Sequence, residues 1–391
     1  MNTRHFVFAP LLLQSVRAAE SFPLPEAERL DYGYQLYQED NQRIRVESSY
    51  LRGQVDINAD TAVRFQLLRD AISGSSPTGE LPDGGTFLQE MHDVRTGVLA
   101  ALARQFGDHR LDLEISRSVE SDYDSHGYSL SDAWDLNQKN TTLAFGVNYL
   151  SDKVAVPGIQ RQDKTGLDLF TGLTQLIDKN TVVSANFTLG YNHGYLNDPY
   201  KIIDRNEVLT LPDGSGGFFD IPLVTPYAEN RPDHRLREVL QLEATHFFET
   251  PGAALDTVYR LSHDDYGVVS QFIQIQWRQS IGSHVEVTPY LRYYRQNAAK
   301  FFMNSLDGLF PLSYSPPDHP NGTGANYSAD YRLSALDALS LGLRLTYTIN
   351  THFSLSASYE RYAMDGLGGN AAPATSYPSA SIWSLSASAK F

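Results

Sequence analysis

The sequence predicts a closed, antiparallel transmembrane β-barrel, and three features of the chain indicate this all-β fold class. Apolar and polar residues alternate through many runs of about ten residues, which is typical of strands with one lipid-facing and one wet side. Short connections between these runs alternate with long ones. The chain also ends on an aromatic residue, Phe391. Together these features predict strands that cross a bilayer and close on themselves.

The last nine residues show the alternation most clearly. A strand points successive side chains to opposite faces, so this segment has one apolar and one polar side. It resembles the closing strand of bacterial outer-membrane barrels, whose terminal aromatic residue is recognised by the barrel-assembly machinery. We therefore expect a bacterial outer-membrane location, with outer-membrane lipid and that machinery as partners. The residues of the apolar side are Trp383, Leu385, Ala387, Ala389 and Phe391.

Counting such runs predicts about sixteen strands, or fourteen if the first and sixth, which are the weakest, are left out. An even number places both termini in the periplasm, with short turns there and long loops outside. The first strand must pair with the last, because hydrocarbon does not tolerate unpaired backbone amides. The predicted strands are 31–40, 43–57, 61–71, 92–106, 109–121, 127–137, 141–151, 165–176, 181–192, 235–249, 254–263, 268–279, 284–296, 330–349, 352–362 and 378–391.

The predicted long loops are 72–91, 152–164, 193–234, 297–329 and 363–377. Loop 193–234 is longer than a connector requires, and such loops are usually functional or folded inward. Two interpretations are open, a constriction inside the lumen and a cap at the surface.

Composition excludes several other classes of protein. The 391 residues include no Cys, and 41% are hydrophobic. No run of about 18 apolar residues is present, so the sequence predicts no membrane-spanning helix. The formal net charge of −15 argues against a nucleic-acid partner, because phosphates repel an acidic surface. A soluble β-sandwich or propeller is the less favoured alternative to the barrel.

The amino terminus predicts export from the cytoplasm. Arg4 and His5 precede the apolar run 6–13, and residues 16–18 provide a possible cleavage site. We therefore expect a signal peptide at 1–18, a periplasmic lead-in at 19–30 and the barrel at 31–391.

The polar side of the predicted strands carries charges of both signs. If the serine side of the closing strand faces inward, the same assignment makes six charged residues candidates for the lumen lining. They either form an ion pathway or, as we favour, pair across neighbouring strands and rigidify a wet wall. The mixture of signs predicts no ion preference. The six candidates are Arg64, Arg278, Glu286, Arg292, Arg344 and Glu360.

Three carboxylates at alternate positions, Glu120, Asp122 and Asp124, are weak candidates for a metal site. Carboxylates with this spacing can converge on Ca²⁺, which takes six to eight oxygen ligands. A solvated strand end is the favoured alternative. The motifs of serine hydrolases, zinc proteases and P-loop enzymes are absent from the sequence, so we expect no enzymatic activity and no cofactor.

Six segments of the chain carry a resemblance to a known family: 70–79, 120–123, 137–142, 194–201, 231–235 and 328–334. Together they resemble a family of proteobacterial proteins known as domain of unknown function 3570. The resemblance covers roughly residues 30–391 and implies an outer-membrane barrel. Members are often encoded beside a small lipoprotein, a thioredoxin-like protein and a flavin transferase, and this neighbourhood implies a periplasmic lipoprotein or redox partner. No catalytic residue is carried over.

Three functions are compatible with these features. The first is a passive, porin-like channel, narrowed by loop 193–234. The second is a non-conducting structural barrel that anchors or sheathes a periplasmic partner such as a redox protein. The third and weakest is a surface receptor or adhesin that works through its loops.

Overall fold

Sixteen strands form one closed antiparallel ring in the computed structural model, and the longest loop adds a two-stranded hairpin. The structure describes residues 28–80, 86–308, 310 and 314–391. The predicted signal peptide and most of the predicted lead-in lie outside these residues. Among the described residues, no helix is long and apolar enough to span a membrane.

The strands are numbered in chain order. The barrel strands are β1 (Arg29–Glu39), β2 (Ile44–Asn58), β3 (Thr61–Glu80), β4 (Thr86–Phe106), β5 (His109–Val119), β6 (Tyr123–Leu136), β7 (Thr141–Val154), β8 (Gln162–Asp178), β9 (Thr181–Gly194), β12 (His234–Phe248), β13 (Ala253–Asp264), β14 (Val269–Ile281), β15 (Val285–Gln296), β16 (Leu336–Thr348), β17 (Phe353–Gly366) and β18 (Ser379–Lys390). The hairpin consists of β10 (Ile202–Pro212) and β11 (Phe218–Ala228).

The first and last barrel strands close the ring. β1 pairs with β18 along its whole length, from Arg29 opposite Lys390 to Glu39 opposite Ala380. All other neighbours in the ring are consecutive strands except β9 and β12, which flank the hairpin. The predicted fold class and the preferred count of sixteen strands are therefore confirmed.

Large apolar side chains point outward from the barrel. In β16, Leu341, Leu343 and Leu345 are 45–54% exposed, whereas the residues between them face the lumen. The closing strand follows the same pattern, with Leu385 60% exposed. An outward apolar band with a polar interior is the arrangement that a lipid environment requires.

The largest departures from the predicted strands and loops lie in three parts of the chain. β3 continues to Glu80 and β4 begins at Thr86, so most of the predicted loop 72–91 is paired strand. Residues 330–335 precede β16 instead of belonging to it. Loop 193–234 contains β10 and β11, which the sequence analysis did not predict. The strand extensions form because Ile72 packs with Ile44, Val46 and Tyr200, and this burial overrides the turn preference of the Gly and Ser residues that follow.

Much of the buried apolar side-chain surface lies at the long-loop end of the barrel. One cluster joins Ile203, Leu306 and Tyr327, which come from the two longest loops. A second joins Tyr266, Phe301 and Leu333. The loops therefore have a packed core of their own.

Candidate functional site

The two longest loops fold together over one end of the barrel. We call residues 195–233, together with the described part of 297–335, the mouth plug. Its two halves are joined by backbone hydrogen bonds between Asn230 and Tyr327, with N···O distances of 2.9 and 3.0 Å. The Asn230 side chain donates to the carbonyl oxygens of Thr323 and Ala325, at 2.9 and 2.8 Å. Asn230 and Tyr327 are fully buried.

The mouth plug contacts opposite sides of the barrel wall. Lys201 donates a hydrogen bond from Nζ to the carbonyl oxygen of Pro77 in β3. Tyr266, in the turn after β13, donates from its hydroxyl to the carbonyl oxygen of Pro232 at 3.1 Å. In the ring of sixteen, β3 and β13 are separated by seven strands in either direction. The plug therefore crosses the mouth.

Two further contacts fix the plug to the rim. The hydroxyl of Tyr200 donates to Asp122, in the turn between β5 and β6. The Ser334 hydroxyl lies 2.7 Å from the hydroxyl of Tyr377, in the loop before β18. The sequence left two positions open for loop 193–234, a constriction inside the lumen and a cap at the surface. The loop matches neither one alone. Its base crosses the mouth, whereas its β10–β11 hairpin is largely exposed.

A buried charge network lies at the centre of the plug. Asp330 is fully buried and accepts hydrogen bonds from Nε of Arg332 at 2.9 and 2.8 Å. Its Oδ2 atom lies 2.6 Å from Nη2 of Arg231. Arg332 also reaches Asp198 at 2.5 Å, and Arg231 lies 2.7 Å from Glu229. The network ties both loops together through charge-assisted hydrogen bonds.

Burial shifts the pKa values of the plug residues. Burial lowers the pKa of Lys201 to about 8. It raises the pKa of Glu229 to about 7, although Arg231 opposes this shift. Burial also raises the pKa of Asp330, but Arg332, Lys201 and Arg231 outweigh it, so the net pKa lies well below the usual range. Asp330 is thus an anion at neutral pH in spite of its burial.

Four of the six predicted lumen residues take part in ion pairs across strands. Arg64 of β3 pairs with Asp112 of β5. Arg278 of β14 pairs with Asp256 of β13, with 2.6 Å between Nε and Oδ2. Arg292 of β15 pairs with Glu360 of β17, with 3.0 Å between Nη1 and Oε2.

Tyr290 of β15 contacts three of the lumen candidates. Its hydroxyl donates to Glu360 at 2.8 Å, and the Arg292 and Arg344 guanidinium groups lie 5.0 and 6.0 Å from its ring centroid. Glu286 accepts a hydrogen bond from Thr288 at 3.3 Å. The structure thus gathers five candidates on β14–β17 and leaves Arg64 on a distant part of the wall.

The carboxylate candidates are rearranged relative to the prediction. Carboxylate oxygens of Asp93, Glu120 and Asp122 lie within 4.8 Å of one another. Asp124 instead pairs with Arg117 at 3.0 Å. Burial raises the pKa of Glu120 to about 8, although Arg95 opposes this shift. Sequence reasoning missed Asp93 because it lies on β4, distant in the chain, and no local spacing marks it.

The sequence profile of a family described as "Protein of unknown function (DUF3570)" matches residues 5–86, 78–161 and 155–389. The chain belongs to this family. The match covers nearly the whole chain and confirms the resemblance inferred from the loop segments. Among curated proteins, none matches the sequence.

Solved structures similar to this DUF3570 protein include proteins described as outer-membrane proteins. CdiB from Acinetobacter baumannii has a TM-score of 0.51 at 10% identity, covering 93% of this chain and 60% of CdiB. The siderophore receptor PirA from Pseudomonas aeruginosa has a TM-score of 0.43 at 12% identity, covering 87% of this chain and 56% of the receptor. OccD3 (OpdP) from Pseudomonas aeruginosa has a TM-score of 0.44 at 10% identity, covering 93% and 91%. The chain therefore spans little more than half the length of CdiB and of PirA. The likeness to CdiB supports the barrel fold.

Proposed function

We propose that this DUF3570 protein is a passive, porin-like channel of the bacterial outer membrane whose conductance is limited by the mouth plug. The observation that carries the proposal is the position of the plug, which is held at opposite sides of the mouth above a charged inner wall.

The width and charge of the inner wall favour a channel for small polar solutes. Sixteen-stranded barrels are wide enough for an aqueous channel unless loops fill them. Several charged groups of the wall are paired, as in the contacts of Arg278 with Asp256 and of Arg292 with Glu360. Paired charges of both signs favour hydration with weak selectivity between cations and anions.

A non-conducting scaffold for a periplasmic partner, such as a redox protein, is the second candidate. The density of the plug favours it, because Asp330, Asn230 and Tyr327 are almost completely shielded from solvent. A plug that never opens would leave the barrel as an anchor.

Conductance of the refolded protein in planar bilayers tests the proposal. We expect small steps for the wild type and larger steps when residues 201–229 are replaced by two glycines. The matched control replaces only residues 208–222 with Asn-Gly. This change leaves the buried network intact, because Glu207 and Leu223 are already paired neighbours at the hairpin. We expect wild-type steps from the control.

Silence of both the wild type and the 201–229 variant would contradict the channel and favour the scaffold. Correct insertion is checked independently by heat-modifiable mobility on gels, which reports a closed barrel.

A further inference from the structure

We propose that Asp93, Glu120 and Asp122 form a binding site for a divalent cation, Ca²⁺, at the long-loop rim of the barrel. Asp93 lies near the outer end of β4, and the other two residues lie in the turn between β5 and β6. Their oxygens lie within 4.8 Å of one another. Ca²⁺–oxygen distances of about 2.3–2.6 Å allow ligands at this separation to share one ion.

Glu120 provides an observation that is independent of the clustering. The residue is 7% exposed, and its Oε2 atom is buried and accepts no hydrogen bond from the residues that the structure describes. A buried carboxylate oxygen without a donor is costly, and native proteins rarely leave one. A cation among the three carboxylates would satisfy it.

Arg95 is an ion-pair neighbour of Glu120 but donates no hydrogen bond to it. Its guanidinium is directed at Asp70, with 2.7 Å between Nε and Oδ2, and Nη2 donates to the same oxygen. The distance from Arg95 Nε to Glu120 Oε1 is 3.9 Å, too long for a hydrogen bond. The hydrogen bonds of Arg95 therefore go to Asp70, and Oε2 of Glu120 is left without a donor among the residues that the structure describes.

The surrounding contacts orient the ligands. The backbone amide of Ser121 donates to Asp93 at 3.4 Å, and the hydroxyl of Tyr200 donates to Asp122. Because Tyr200 belongs to the mouth plug, a bound ion would connect the wall to the plug. Ca²⁺ suits the site better than Mg²⁺, because it accepts irregular oxygen geometry whereas Mg²⁺ requires a near-ideal octahedron.

Calorimetric titration of the full-length protein, refolded in detergent, with CaCl₂ tests the site. We expect one bound ion per chain and weaker binding of MgCl₂. Glu120→Gln keeps the shape of the side chain but removes its charge, and we expect affinity to fall by at least about tenfold. The matched control is Asp124→Asn, which lies in the same strand region and pairs with Arg117. We expect it to bind as the wild type does.

Two outcomes would overturn the site: no Ca²⁺ binding by heat-modifiable wild-type protein, or equal affinities of the wild type and Glu120→Gln. If Glu120→Gln does not refold, Asp93→Asn replaces it, because Asp93 is more exposed and its substitution disturbs the packing less. The test reads Ca²⁺ binding alone, so its result is distinct from that of the conductance experiment.

Discussion

Asp330 lies 2.6 Å from Arg231, and this contact joins two loops that are separated by 99 residues in the chain. Both side chains lie in the middle of the mouth plug, and Arg332 binds the same carboxylate. One buried anion therefore holds two guanidinium groups. Removing one partner of a buried ion pair is far more costly than the pair's net contribution, because the remaining charge loses its compensation.

Asp330→Ala is expected to loosen the plug. It leaves Arg231 and Arg332 without their shared carboxylate, at a cost of about 3–5 kcal/mol to the packed plug. We expect larger or more frequent conductance steps in planar bilayers and faster proteolysis of the loops. Asp307→Ala is the control, because Asp307 is an exposed acid of the same loop that bonds Asn206 of the hairpin. Unchanged conductance and proteolysis of Asp330→Ala would contradict a restraining role.

The plug is expected to weaken as the pH rises from about 4.3 to about 7. The pKa of Glu229 in the packed plug is about 7, above the ordinary value of about 4.3 for Glu. The packed plug therefore holds a proton in this range that a displaced loop releases, and its stability falls as that proton is lost. Loop proteolysis should accelerate from pH 5 to pH 7.5.

Glu229→Gln should remove most of this pH dependence. The amide can still accept from the backbone N–H of Asp198 and can donate to the Ser328 hydroxyl, which now donates to Glu229. The rate of loop proteolysis is measured against pH for the wild type and Glu229→Gln, with a protease of known pH profile. If the rate rises equally with pH in both proteins, the pH dependence belongs to another group. Lys201 does not contribute to this pH dependence, because its pKa of about 8 lies above the range from about 4.3 to about 7 in which Glu229 acts.

Breaking the pair between Arg292 and Glu360 is expected to change ion selectivity. Glu360→Gln leaves the positive charge of Arg292 uncompensated beside Arg344 on the inner wall. We expect the reversal potential in a KCl gradient to shift toward anion preference, and Arg292→Gln to shift it toward cations. Identical reversal potentials for both variants and the wild type would show that these residues do not line the conducting path.

The barrel was predictable because its signal repeats every second residue. In β16 and β18, Leu341, Leu343 and Leu385 alternate with small or polar side chains, and the structure exposes these leucines as expected. The ends of β3 and β4 were not predictable in this way. There, pairing beyond the membrane depends on contacts with Tyr200, which is more than 100 residues away.

The site was predictable only in part, for a related reason. Inward positions such as Arg292 and Glu360 follow from strand parity, but their pairing depends on register, which turn lengths and packing decide. The contacts within the mouth plug could not be predicted, because Asp330 and Arg231 belong to loops without any periodic pattern. The position of Asp93 beside Glu120 and Asp122 was not predictable either. Asp93 lies on β4, and it approaches the other two carboxylates only because β4 and β5 are neighbours in the barrel.

A charge on the lipid side of the closing strand is expected to destabilise the barrel. Leu385→Arg places a guanidinium among acyl chains, which costs about 2–4 kcal/mol near the bilayer midplane. Ser386→Arg is the matched control, because the adjacent side chain points into the lumen. Urea unfolding in lipid vesicles should separate the two variants. Equal destabilisation would contradict the assignment of the two sides of β18.

Gly342 of β16 is expected to be intolerant of even one added methyl group. A Cβ atom built there would lie 2.1 Å from Cζ of Tyr290, which packs flat over the glycine from the neighbouring strand. Gly342→Ala must therefore displace Tyr290 from its hydrogen bond with Glu360, at a cost of about 1–3 kcal/mol in unfolding free energy.

Gly97→Ala provides the control for this substitution. Gly97 also lies in a barrel strand, but an added Cβ would have its nearest contact at 3.5 Å, to Cβ of Leu68, an ordinary van der Waals distance. We expect Gly97→Ala to unfold in urea at nearly the wild-type concentration and Gly342→Ala at a lower one. Because the Tyr290 ring contacts Arg292 and Arg344, Gly342→Ala should also alter channel conductance. Equal urea midpoints and equal conductance for Gly342→Ala and Gly97→Ala would show that the Tyr290 ring moves aside freely.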